Sequence, residues 1–199
     1  MQQAKNVMFT IKSDSFIEPS KNQPVPMSSW IAEAVRKEMS TLPFISIFQP
    51  ETVLVPIPRS SLMQPGTLWV PDRIANALHE IGVGKEVVRY LIRSTPVKKA
   101  AFSSPSERPL PDEHFQSLPV QNRVSGPTPS QITLVDDIVT RGSTFIGAAN
   151  RLVEVFPETR ISCFAAMRTT TPSNFENVYD PQPETIWYRE QQKDTVRKS

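Results

Sequence analysis

Cysteine is almost missing from this sequence: Cys163 stands alone among 199 residues. That excludes an internal disulfide, and its position in the apolar run "ISCFAAM" reads as an inert core thiol in a reducing cytoplasm. Long apolar runs are missing too. No stretch approaches the roughly 18 residues that a membrane span requires, and the start "MQQAKNVMFTIKSDS" has no apolar centre of the signal-peptide kind. The expectation is a soluble, cytoplasmic protein with no membrane partner. Charge of one sign is also lacking. Lys and Arg number 22 against 20 Asp and Glu, for a net +2. The basic residues are scattered except in the tail "YREQQKDTVRKS", so no nucleic-acid footprint is expected. Nowhere does Gly-Lys-Ser or Gly-Lys-Thr occur, which excludes a Walker-type phosphate loop.

Proline, by contrast, is abundant: 20 residues, about twice the average usage of roughly 5%. Because proline removes a backbone donor and clashes with the preceding helical turn, the proline-free windows mark the regular elements. The segment 27–42, "MSSWIAEAVRKEMSTL", places Trp30, Ile31, Ala34, Val35, Met39 and Leu42 on one helical face, with Ser28 or Ser29 as N-cap. After Pro71, Ile74, Ala77, Leu78 and Ile81 repeat at helical spacing until Gly82, and "EVVRYLI" then reads as a strand. A third window runs from strand "ITLV" into a helix carrying Phe145, Ala149, Leu152 and Phe156, stopped by Pro157 and followed by strand "RISCFAAM".

With strand "TVLVPI" at 52–57, the order becomes strand, helix, strand, a long interruption, then strand, helix, strand. This alternation predicts an α/β fold with a parallel sheet covered on both faces, whose ligand site lies beyond the carboxyl ends of the strands. Two loops meet that condition, "PIPRSS" and "DDIVTRGST". The interruption, about 94–130, holds seven prolines and His114 and reads as an active-site lid. His114 itself reads as exposed. The last dozen residues are polar and expected to be disordered.

The stretch "ITLVDDIVTRGST", residues 132–144, carries the chemistry. Asp136 and Asp137 follow an apolar strand, where neighbouring side chains point to opposite sides of a sheet. Ionised carboxylates accept hydrogen bonds from vicinal hydroxyls and suit hard cations such as Mg2+. Thr140 through Thr144 then turn into a helix start, where unpaired N–H groups, hydroxyls and the helix dipole favour a phosphate. Gly142 permits close approach of the anion. A diol site and a phosphate site one ribose apart describe a ribose 5-phosphate. Other aspartate-pair motifs fit less well. A haloacid-dehalogenase site wants aspartates two apart, where this chain has Ile138, and receiver domains carry their acidic pair after the first strand.

This run resembles the PRPP-binding motif of type I phosphoribosyltransferases. The resemblance implies that Asp136 and Asp137 bind the ribose hydroxyls and Mg2+, and that Thr140, Arg141, Gly142, Ser143 and Thr144 grip the 5-phosphate. "VLVPIPRSS" would then be the pyrophosphate loop, with Arg59 as the main donor, by its fork of N–H groups, and Ser60 and Ser61 beside it. The Pro-x-Pro before Arg59 and the run "LIRSTPVKKAAFSSPSERP" are similar to the ComF-like branch, whose cysteine-rich zinc ribbon this chain lacks. Over 50–168 the similarity is one of fold, and it is tight only at the motif.

The implied organisation is a single Rossmann-like domain over 1–188. Its core spans about 50–168, its variable hood is built from 1–50 and 170–188, its mobile loop is about 94–130, and 189–199 form a polar tail. The implied reaction is displacement of pyrophosphate from PRPP by a nitrogenous base of unknown identity. Arg59, Lys98 and Lys99 would steady the leaving group, and His114 and Glu107 are candidates for proton transfer. Thr140 stands where 6-oxopurine enzymes carry an acid, which disfavours hypoxanthine and guanine. Trp30, Trp69 and Trp187 read as packing residues rather than base platforms. A non-catalytic PRPP or nucleotide sensor is the rival class, and homodimers are common in the family.

Overall fold

The computed structural model describes residues 2–21, 23–98, 107–121, 126–169 and 180–198. Its centre is a four-stranded parallel sheet of β3 (Val53–Pro56), β4 (Glu86–Val87), β5 (Gln131–Val139) and β6 (Arg160–Arg168) in the spatial order β4-β3-β5-β6. The chain enters at β3, crosses through α3 (Val70–Glu80) to β4 on one side, and returns to β5 on the other. β5 then crosses through α5 (Ser143–Val153) to β6. The strand order therefore reverses between β3 and β5, the position where open α/β sheets form a crevice for ligands.

Alternation along the strands sorts the core into two layers. Leu54, Val135 and Phe164 face α3, whose Ile74, Ala75 and Leu78 are buried there. Val53, Val55, Ile132 and Leu134 face α5 and pack on Phe145, Ala148 and Leu152. Each fully buried leucine contributes about 1.5–3 kcal/mol, so both sheet faces are firmly covered. Gly82 ends the α3 segment at φ +86°, as its position after the apolar repeat predicts. The expected α/β class with helices on both faces is the observed one.

Several local expectations are corrected. The strand read from "EVVRYLI" pairs in parallel only at Glu86 and Val87, and Leu91 makes an isolated bridge with Val120 instead. β5 does not stop at Val135 but continues through both aspartates to Val139, because β6 pairs with it as far as Arg168. Helix α2 (Met27–Glu38) is not capped by Ser28 or Ser29. Its first-turn amide at Ser28 donates to the carboxylate of Asp14, 2.7 Å away. Asp14 follows α1 (Gln2–Ser13) at φ +46° and is also paired with Arg73 of α3 at 2.8 Å.

The N-terminal segment is more than a hood. Ile11, Ile31, Val35, Leu42 and Phe48 share one buried cluster with Leu54 and Ile74, so 1–50 supplies much of the layer over α3. The two-stranded ribbon of β1 (Phe16–Ile17) and β2 (Val25–Pro26) joins α1 to α2. Trp30 is 41% exposed and Trp187 55%, against the packing expected of them. Only Trp69 is held, its indole N–H donating to the Ile57 carbonyl at 2.7 Å.

The interruption contains α4 (Pro111–Ser117), which lies against α5. Gly147 makes this approach possible. A Cβ there would stand 2.6 Å from the Pro111 carbonyl oxygen and 2.8 Å from the Phe115 amide nitrogen. His114, expected in solvent, is buried at that contact, 6% exposed. The polar tail is ordered as well: β7 (Thr185–Arg189) and β8 (Asp194–Lys198) form an antiparallel hairpin separate from the central sheet. Among the described residues no helix is long and apolar enough to cross a membrane.

Candidate functional site

The two segments selected from sequence follow or end β3 and β5, the strands that are neighbours at the switch point. The Ile57 amide donates to the Val135 carbonyl at 2.9 Å, which brings the segment after β3 beside the end of β5. Asp136 and Asp137 are the next residues on β5, and the strand's alternation sends them to opposite faces, as expected. Asp137 reaches the N-terminal layer, where the Lys12 ammonium of α1 stands 3.3 Å from its Oδ2. Asp136 lies on the other side and acts on the charges of Arg93 and Cys163. Each carboxylate accepts a hydrogen bond from the following backbone amide, Asp137 N at 2.8 Å and Ile138 N at 2.7 Å. Burial, and then the neighbouring Asp137 charge, raise the Asp136 pKa well above the ordinary carboxylate value.

Gly142 forms the N-cap of α5 at φ +91°, a left-handed conformation that suits glycine, and no side chain caps the helix. Thr140 and Arg141 precede it, and Ser143 and Thr144 open the helix. The C-terminal hairpin covers this turn, however. Arg141 donates to the Asp194 carboxylate, and Arg197 donates to the Thr140 carbonyl. The Ser143 and Thr195 hydroxyls are 2.9 Å apart. A Cβ on Gly142 would lie 2.7 Å from Ile186 Cδ1, so that side chain rests on the glycine. Thr144 faces the other way, its hydroxyl 3.3 Å from His114 Nε2.

On the neighbouring loop, the Arg59 guanidinium donates to the Leu68 carbonyl at 2.5 Å. Its backbone carbonyl accepts from Arg93 Nε at 2.8 Å, and the Ser60 carbonyl accepts from the Val97 amide at 2.8 Å. The long interruption therefore starts against the 58–61 loop. Lys98 is next in sequence, exposed and 4.0 Å from Glu107. Lys99 lies outside the described residues. A cavity of about 410 Å³ opens beside this loop, bordered by Pro58, Leu62, Trp69, Arg89, Arg93 and Gln121.

Arg93 is a site residue that sequence reasoning missed. Only 6% exposed, it spans from the Arg59 carbonyl to the Ser117 hydroxyl, the latter at 2.5 Å. Burial lowers its pKa to about 10, while Asp136 acts in the opposite direction. A cation inside the apolar run "YLIRS" is the available sequence signal. Lys12 and the hairpin residues gave no such signal, since their relation to the motif is purely spatial. Cys163 behaves as expected of an inert thiol, its pKa pushed up to about 12 by burial and by Asp136.

The described residues contain no group of three or more His, Cys, Asp or Glu placed to hold a metal. Asp136 and Asp137, the residues expected to help hold Mg2+, point to opposite faces of β5 and do not by themselves form one ion site; either carboxylate could be a single ligand of a Mg2+ ion held mainly by phosphates and water. Comparison with protein-family models and with curated proteins gave no match.

Proposed function

We propose that this protein is a PRPP-dependent phosphoribosyltransferase with a type I fold, a glycosyltransferase of nucleotide metabolism that acts on a nitrogenous base. The observation that carries the reading is the position of the thirteen-residue motif. Its aspartates lie towards the carboxyl end of the central strand β5, which borders the sheet's switch point, and its glycine is the N-cap of the next helix. Asp136 and Asp137 would accept the ribose hydroxyls at the carboxyl end of β5. The N-terminal amides of α5, with the Ser143 and Thr144 hydroxyls, would hold the 5-phosphate.

Charge grows on the pyrophosphate as its bond to C1 breaks, so fixed positive groups near it lower the barrier. Arg93 is held between the leaving-group loop and α4 and keeps that loop in place through the Arg59 carbonyl. Arg59 and Lys98 border the same loop and would supply further donors, while Mg2+ would neutralise part of the leaving-group charge. The cavity beside Arg93 offers room on this side of the crevice. The lone, partly buried Cys163 suits a reducing cytoplasm.

A second reading, a non-catalytic sensor of PRPP or a nucleotide, is favoured by the hairpin's contacts with the phosphate loop. Calorimetric titration with PRPP, with and without Mg2+, followed by a pyrophosphate-release screen over a panel of bases, tests both. Mg2+-dependent binding with release for one base is the expected result. Binding without release for any base selects the sensor, and absence of binding removes both readings.

A further inference from the structure

We infer that the C-terminal hairpin is an autoinhibitory latch on the phosphate loop, with Asp194 holding Arg141 in competition with a phosphate monoester. This rests on the proposed function and concerns the regulation of the same site. The hairpin meets the turn with the kind of groups a phosphate would bring. A carboxylate, buried except for 10% of its side chain, pairs with Arg141, and a hydroxyl meets Ser143. Asp194 Oδ1 is fixed by the Thr195 amide at 2.7 Å, which leaves Oδ2 for the Arg141 guanidinium, shared with Arg189 of the hairpin at 3.4 Å. Thr195 is 1% exposed and Ile186 covers Gly142, so an anion cannot reach that side of the turn while the hairpin stays docked.

The hairpin is a small unit, tied also to the end of β6 by Arg197 on the Thr169 carbonyl and by Arg168 on Glu184. Two strands of five residues joined only to each other are marginal by themselves. Trp187 and Tyr188 on it are exposed. Its attachment to the turn therefore depends on Asp194, Thr195, Ile186 and Arg197, the groups that a bound phosphate would displace or compete with. A site populated in its open form only part of the time has its apparent affinity reduced by that fraction.

The test is titration of the full chain and of Asp194→Asn with ribose 5-phosphate. Asparagine keeps the shape and the acceptor for the Thr195 amide but gives up the charge on Arg141. The latch predicts tighter binding by the variant, about tenfold for roughly 1.4 kcal/mol of differential docking. Hydrogen exchange of the unmodified chain supplies a readout that needs no variant: amides of 185–198 are expected to exchange faster with saturating ribose 5-phosphate. Equal or weaker binding by Asp194→Asn, with the parent chain binding well, overturns the latch and leaves the functional reading standing. Unchanged exchange under saturation also overturns it. Binding to neither chain removes the phosphate site itself, and the latch with it.

Discussion

His114 Nε2 stands 3.3 Å from the Thr144 hydroxyl, so a side chain from the long interruption touches the first turn of the helix that follows the motif. Its other ring nitrogen, Nδ1, is buried without a hydrogen-bond partner. Burial and the nearby Arg93 charge lower the imidazole pKa to about 4, and the ring is neutral in the folded protein at neutral pH.

This gives a defined pH dependence. A histidine whose pKa falls on folding binds fewer protons in the native state. Its full contribution is present above the ordinary value of 6.5, and it is lost as the pH falls towards about 4. The expected loss between about pH 7.5 and about pH 4.5 is roughly 2.5 kcal/mol. Urea unfolding at the two pH values should show a flatter dependence for His114→Gln than for the parent chain. Identical slopes would mean that another group governs the acid limb.

Asp14 gives a prediction about folding rather than chemistry. Its carboxylate serves both the Ser28 amide at the start of α2 and Arg73 of α3. Asp14→Ala removes the cap and leaves a buried amide unpaired, at a cost of about 1–3 kcal/mol. Arg73→Ala removes only the half-exposed partner and should cost well under half as much. Equal losses from the two substitutions, measured by thermal unfolding, would show that the ion pair matters more than the cap.

Asp136 should trade stability against binding. An acid whose pKa is raised on folding stabilises the native state below the ordinary carboxylate value and loses that contribution as the pH rises. Asp136→Asn removes the cost of ionising a buried acid beside Asp137, and its oxygen still accepts from the Asp137 amide. The expected rise in Tm is a few degrees, the effect of about 1 kcal/mol in a domain of this size, together with loss of PRPP binding. A variant that unfolds at lower temperature would place a stabilising partner on the carboxylate that offsets its burial.

The parts of the fold that sequence made legible are those set by local rules. The apolar strands at 53–56 and 132–135, the periodic helices that follow them and the left-handed glycines, Gly82 after α3 and Gly142 before α5, each follow from side-chain chemistry within a few residues. What was not legible depends on distant partners. β5 extends past Asp137 because β6 continues beside it, and "DTVRK" becomes a strand because "TIWYR" and the turn at 140–143 receive it. Ser28 resembles a cap in sequence, yet Asp14, fourteen residues away, supplies the acceptor. His114 looked exposed because its neighbours are polar, but Gly147 on α5 provides the gap that buries it.

Arg93 brings both kinds of information together. It follows an edge strand in sequence, but its two hydrogen bonds join the loop that carries Arg59 to the end of α4, and the Asp136 charge acts on it. Arg93→Ala would leave the Arg59 carbonyl and the Ser117 hydroxyl without this donor, a loss of about 1–3 kcal/mol for a buried polar group left unpaired. Arg93→Lys restores the charge, but a single ammonium cannot reproduce the geometry of Nε and Nη1 directed at two separate acceptors. Chemical denaturation should therefore rank the parent above Arg93→Lys and Arg93→Ala lowest, with the lysine recovering less than half of the loss. Full recovery by lysine would show that the charge beside Asp136 matters and the two directed hydrogen bonds do not, while an unchanged alanine variant would remove Arg93 as the support of the loop.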